Sequence, residues 1–310
     1  MKSTISRTQS LVVGLAGLLG LAGAAAGQEA GGGKGSATDL SFTVYSGGQF
    51  SFQSDIDGGG DMNVFRLQFG VTGRASLTRD LDLTVQIGYD IDLYDFSGVS
   101  RLGVDPWEDV HTFNVGAILS MDMSNDWTLF GGPVLQVARE DSADVDDSFI
   151  GGGVFGATYE VSSSLTVGGG FGVVTQIEDD TRLFPVIVLD WEISDRLRLT
   201  SKTAGAAGRS GLELVYDFAN DWEVAIGGSY EFRRFRLDDD GVAPGGVGED
   251  KSLPIRARLS RRMGDHVVLD FYAGVVMVSD IELANVDGVV LAAADVDPTG
   301  LLGFAVRLTF

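Results

Sequence analysis

The chain has 310 residues, with 44 Asp and Glu against 22 Lys and Arg, 44 Gly, 6 Pro and no Cys. At 44% hydrophobic it is too apolar for a disordered chain, and without Cys it can hold neither a disulfide framework nor a thiolate metal site. A formal charge of −22 argues against nucleic acid, whose phosphates call for Lys and Arg, and glycine without a three-residue period excludes collagen.

The first segment carries the marks of export. Lys2 and Arg7 precede the uncharged stretch from Leu11 to Ala26, which closes on the small residues Ala24-Ala25-Ala26. Its 16 residues fall short of the roughly 20 that a spanning helix needs. Residues 1–26 therefore read as a signal peptide cleaved after Ala26 or Gly27, with no Cys there to receive lipid. Residues 27–38 read as a flexible Gly-rich leader, and 39–310 as one domain. No later stretch is long enough to cross a bilayer as a helix, so entry into a membrane requires strands.

From residue 39 onward the sequence alternates with period two, which marks strands with two unlike faces. Phe65, Leu67, Phe69 and Val71 oppose Arg66, Gln68, Gly70, Thr72 and Arg74. Leu81, Leu83, Val85, Ile87, Tyr89, Ile91 and Leu93 oppose Asp82, Thr84, Gln86, Gly88, Asp90 and Asp92. Phe113 to Met121 repeats the pattern, with Ile118 as its exception and Asp122 at its end. Pro133, after Gly131-Gly132, predicts a bulge because it removes a ladder donor. Gly151 to Gly156 matches GxGxxG but alternates as a strand with no helix after it, so nucleotide binding is not expected.

Short turns fall near residues 78–80, 124–126, 162–164, 194–196, 220–221 and 264–265. Longer acidic connections fall at about 53–61, 95–110, 139–148, 178–182, 204–210, 237–252 and 279–299. These connections imply about fourteen strands, with 12 to 16 possible, long enough to span a bilayer at about 9–11 residues each. The fold class expected is all-β, an antiparallel up-and-down transmembrane β-barrel. Trp127 and Trp222 directly follow short turns and Trp191 precedes one, as in an interfacial aromatic girdle.

The closing run Leu302-Gly303-Phe304-Ala305-Val306-Arg307-Leu308-Thr309-Phe310 ends on an aromatic, with apolar residues at every second position before it. It resembles the C-terminal strand of Gram-negative outer-membrane β-barrel proteins, and the architecture of the whole mature chain is similar to theirs. The resemblance implies an outer-membrane location and a terminal Phe310 that forms part of the signal read by the barrel-insertion machinery. It does not single out a subfamily.

Charge is distributed by region. The seven longer connections hold 25 acidic and 5 basic residues, so nearly all the excess lies at one mouth, where it would concentrate cations, repel anions or be bridged by divalent ions to anionic lipid. Asp55, Asp57 and Asp61 begin like a Ca²⁺ loop, but Gly59 and Arg66 stand where ligands are needed, which leaves weak Ca²⁺ candidates and no cofactor. By alternation Arg66, Arg74, Arg198, Lys202, Arg233, Arg256, Arg258, Arg262 and Arg307 point into the lumen. So do Asp82, Asp90, Asp92, Asp122, Glu213, Glu223, Glu231 and Asp270. Hairpin geometry sets Arg66 beside Asp90 or Asp92, Arg74 near Asp82, and Arg258 near Asp270. The two His, His111 and His266, lie at opposite rims and build no hydrolase site, so no enzyme is expected. The expectation is a porin-like passive channel for small hydrophilic solutes or ions with an acidic outer mouth. The alternative is a non-conducting structural or adhesive barrel with a salt-bridged interior.

Overall fold

Alternation with two unlike faces produces a closed wall. The structure, a computed structural model, describes residues 40–123, 126–202, 210–219 and 221–310. The expected signal peptide, the leader, Ser124-Asn125, Asn220 and nearly all of the 204–210 connection lie outside those residues. In chain order the strands are β1 (Leu40–Asp55), β2 (Asp61–Ser76), β3 (Leu81–Ser97), β4 (Asp109–Asp122), β5 (Trp127–Glu140), β6 (Phe149–Ser162), β7 (Leu165–Gln176) and β8 (Asp179–Ser194). They continue as β9 (Leu197–Lys202), β10 (Ser210–Ala219), β11 (Trp222–Ser229), β12 (Glu231–Arg236), β13 (Val247–Met263), β14 (Val267–Ala284), β15 (Val290–Val296) and β16 (Thr299–Thr309).

Fourteen of these strands, all but β12 and β15, form the wall. Neighbours pair antiparallel from β1 to β11, then β11 with β13, β13 with β14, β14 with β16, and β16 with β1. Among the described residues the ring closes on itself, so each wall strand has a neighbour on both sides, the condition for strands to stand in hydrocarbon. Ile187, Leu183, Phe171, Phe155 and Phe304 are exposed on the outer surface, and Trp127 and Trp191 are exposed at the short-turn rim. Arg66, Gln68, Gln86, Asp92, Arg258 and Asp270 are buried inside. An apolar band outside a charged lumen is the architecture of a transmembrane β-barrel of the outer-membrane type.

The inner face is not polar throughout. From β4 to β8 it carries Ile118, Phe130, Val134, Ile150, Val154, Phe184, Val186 and Val188, which bury one another, with glycines between them. Both faces of these strands are therefore apolar, and simple alternation does not separate lumen from lipid there. No bulge forms at Pro133: the β4–β5 ladder keeps its register between Gly116↔Val134 and Leu119↔Gly131 and is only interrupted. The strands close up instead, so that a Cβ on Gly132 would lie 1.9 Å from the Ala117 carbonyl oxygen.

The long-loop end departs furthest from a plain barrel. Residues 237–252 and 279–299, expected as loops, supply the start of β13, the end of β14 and all of β15. Ile281, Leu283, Ala292, Ala294 and Val296 explain this, because they have an apolar core to enter. The 178–182 connection is also shorter than expected, a two-residue turn at Ile177-Glu178 with Glu178 at φ 48°. β1 slips register between Ser51 and Ser54, and the β13–β14 ladder slips between Ser252 and Pro254. The chain breaks from β11 to β12 at Tyr230 and from β15 to β16 at Asp297-Pro298. Pro254 pairs with Val276, Val276 with Thr299, and Leu301 with Ser51, so the slips lie close to one level of the wall. Beyond that level β12, the start of β13, the end of β14 and β15 form a four-stranded flap that turns across the barrel. Its edge meets β5 in a parallel bridge, Arg236↔Arg139.

Candidate functional site

The lumen has three layers, each built by strands whose inner side chains share a level. The outermost is apolar. Trp107, from the 98–108 connection, stands edge-on to Phe235 of β12 at 5.4 Å and to Tyr94 of β3 at 5.7 Å between ring centroids. Phe235 is fully buried, and Leu102, Leu237, Met62, Val64, Val110 and Ile281 complete the cluster. Glu140, buried at the end of β5, accepts from the Glu108 amide at 2.7 Å and from the Asp238 amide at 3.0 Å. One carboxylate thus holds both segments that cover the mouth. On the flap's other side Arg234 pairs with Glu249 at 2.8 Å and donates to the Ile177 carbonyl at 2.8 Å, while Arg236 pairs with Glu178 at 2.6 Å.

Beneath the aromatic cluster lies a charged layer that ties the flap to the opposite wall. Arg66 of β2 contacts Asp92 at 3.5 Å and Asp250 at 2.5 Å, and Tyr94 donates to Asp250 at 2.7 Å. Arg233 contacts Asp92 and Glu231, each at 2.8 Å. Arg256 contacts Glu231 at 2.5 Å and donates to Gln49 of β1 at 2.8 Å and 3.0 Å. Three guanidinium groups meet three carboxylates, so the layer is neutral although each of these carboxylates is almost fully buried. Such a layer holds only while every member keeps its partner.

The innermost layer is a chamber of about 510 Å³ reaching the short-turn rim. Arg198, Arg258, Arg262 and Arg307 line it with Glu213, Asp217, Asp221 and Glu223. Arg258 pairs with Glu213 at 2.9 Å and with the fully buried Asp270 at 3.4 Å. Arg307 approaches Asp270 at 3.3 Å, and the contacts of Glu223 are looser, 3.8 Å to both Arg258 and Arg262.

The residues singled out from sequence fall into these layers unevenly. Arg66, Asp92, Glu231 and Arg256 join the charged layer, with Asp92 opposite Arg66 across β2 and β3. Glu223, Arg258, Arg262, Asp270 and Arg307 belong to the chamber or its floor. Arg74 faces Thr84 and Asp82 faces Ser76, one step apart on the inner wall, and Asp90 faces Gln68. Asp122 reaches only the rim, where it is exposed and accepts from Thr128 at 2.8 Å. Lys202 has no described side chain. Phe310 is exposed beside β1, its amide donating to the Phe42 carbonyl at 2.8 Å.

The Ca²⁺ candidates do not converge. Asp55 and Asp61 face each other across β1 and β2, but Asp57 turns to Arg101 at 3.4 Å. Among the described residues no three or more metal-ligating side chains gather into one site. Missed from sequence were Asp250 and Glu249, placed in a loop, and Tyr94, Trp107 and Glu140. The trace that pointed to them is the unbroken run Val289-Val290-Leu291-Ala292-Ala293-Ala294, too apolar for an exposed connection.

No protein-family model and no curated protein sequence matches the chain. Among solved structures it is similar to an outer-membrane channel from Pseudomonas putida F1, at 10% identity over 92% of this chain and 98% of that one, TM-score 0.48. It is similar to a Pseudomonas aeruginosa FadL homologue, at 10% identity over 87% and 90%, TM-score 0.46. It is also similar to the toluene transporter TodX of P. putida, at 8% identity over 87% and 89%, TM-score 0.42. These are likenesses of one barrel to another, and they assign no substrate.

Proposed function

We propose that the chain is an outer-membrane channel for small hydrophilic solutes, resting in a closed state. The observation that carries this reading is the chamber of about 510 Å³, lined by charges of both signs and reaching the short-turn rim. Charged side chains belong at membrane depth only where water or a partner satisfies them, and a chamber of this size holds water. The short-turn rim faces the periplasm, as it does in bacterial barrels with short periplasmic turns and longer outer loops. The charged layer and the aromatic cluster close the route to the cell surface. Passage then requires the flap to move, and the acidic outer connections set which ions reach it. The terminal Phe310 serves barrel insertion.

One observation favours a second reading, a barrel that never conducts: the buried layer of three Arg and three carboxylates is fully matched in charge. Planar-bilayer recording separates the two. Stepwise conductance with a cation-favouring reversal potential supports the channel, and silence from wild type and from flap-loosened variants alike leaves the structural barrel.

A further inference from the structure

We infer that the inner chamber is a binding site for small zwitterionic solutes, which carry an ammonium and a carboxylate a few atoms apart. This deepens the channel reading and rests on it for the route by which solute passes onward.

Among the described residues four arginines and four carboxylates line the chamber, with Asp270 beneath it against Arg258 and Arg307, so the two signs are close to balance there, unlike in the strongly acidic outer connections. The signs alternate around the wall: Arg198 on β9, Glu213 and Asp217 on β10, Glu223 on β11, Arg258 and Arg262 on β13, Asp270 on β14 and Arg307 on β16. Opposite charges therefore stand a few ångströms apart around one small volume, the separation that a zwitterion itself carries.

These groups keep capacity for a ligand. In the charged layer above, most contacts are 2.5–2.8 Å. In the chamber both ion contacts of Glu223 are 3.8 Å, beyond hydrogen-bond length. Arg307 approaches Asp270 at 3.3 Å, and its Nε is buried with no hydrogen-bond partner. Arg262 is 62% exposed by its side chain. An ammonium group entering beside Glu223, with its carboxylate toward Arg307 and Arg262, replaces long contacts with charge-assisted hydrogen bonds. The volume lies within the roughly 300–1,000 Å³ of small-molecule sites.

The test uses the full-length barrel purified in detergent and equilibrium binding by calorimetry or saturation-transfer NMR. The probes are L-alanine, propionate and isopropylamine, which present both charges, the anion alone and the cation alone. L-Alanine is expected to bind about tenfold more tightly than either single-charge probe, as one extra charge-assisted hydrogen bond implies. Glu223→Gln and Arg307→Gln should each remove that preference, and Arg262→Gln, at an exposed position that folding does not need, should weaken it in the same direction. Equal binding of L-alanine and propionate, or a preference untouched by all three substitutions, overturns the inference. Conductance is recorded separately. A barrel that conducts without favouring L-alanine refutes the binding site, while one that favours L-alanine and never conducts upholds the site and refutes the channel.

Discussion

Asp250→Ala is the most informative single change. Asp250 is 1% exposed, accepts from Arg66 at 2.5 Å and from Tyr94 at 2.7 Å, and lies opposite Arg233 in the β12–β13 ladder. Its loss leaves the three arginines of the layer with two carboxylates, and the buried Arg66 with only the 3.5 Å contact to Asp92. Removing one partner of a buried ion pair costs about 3–5 kcal/mol. That cost falls on the seated flap, because the layer joins the flap to β1, β2 and β3, whereas the ladder of the wall is untouched. At about 1.4 kcal/mol for each tenfold, the open-to-closed ratio rises by more than about a hundredfold. The assays are open probability in planar bilayers and the rate of proteolytic cleavage within 237–246 in vesicles, with retained gel mobility of the unheated protein as the control for an intact barrel. Asp250→Asn keeps an acceptor without the charge and should give a smaller rise. Wild-type open probability together with a wild-type cleavage rate in Asp250→Ala would refute the assignment of this layer as the fastening of the flap.

Phe235→Ala, at a fully buried site against Trp107 and Tyr94, should loosen the flap by about 3–5 kcal/mol, read as faster cleavage within 237–246 with the barrel intact. Gly170→Ala would set a Cβ 2.1 Å from the Phe155 carbonyl oxygen, so about 1–3 kcal/mol of barrel stability should be lost and the heat-stable folded band should weaken. Gly151→Ala, which meets only a Leu135 methyl at 3.3 Å, should leave that band unchanged. Phe310→Ala should lower the fraction of protein assembled in the membrane while leaving the melting behaviour of assembled barrels close to wild type, as checked by fractionation and unheated gels.

The wall was legible because its rule is local. A period of two, a polar turn and a terminal aromatic can be read from neighbouring residues, and β2, β3 and β16 follow that rule closely. Arg66 beside Asp90 or Asp92 was legible for the same reason, since the intervening turn narrows the register to these two, and the ladder itself sets Asp92 opposite. The flap was not legible, because it depends on distant partners. Val247–Ser252 looks like a charged loop until Arg66 and Tyr94 arrive from β2 and β3 to receive Asp250. Val154 and Val186 sit on an inner face and make β6 and β8 apolar on both sides, so only the folded barrel shows which side is the lumen. Not all of the acidity expected at one mouth meets solvent. Glu249 and Asp250 are buried in ion pairs and Glu140 holds two backbone amides, so part of the outer charge fastens the closure rather than meeting solvent.

The central claim is a hydrated chamber that is open at the short-turn rim and sealed at the long-loop end. The chain has no Cys, so Asp217→Cys places a single thiol on an exposed chamber position against no background. The measurement is the rate at which a small charged thiol reagent modifies it from each side of vesicles sorted by orientation. Rapid modification from the short-turn side, slow modification from the long-loop side, and rapid modification from both once Asp250→Ala is added are the predicted results. Equal rates from both sides with Asp250 in place would contradict the seal, and no modification from either side would contradict the chamber.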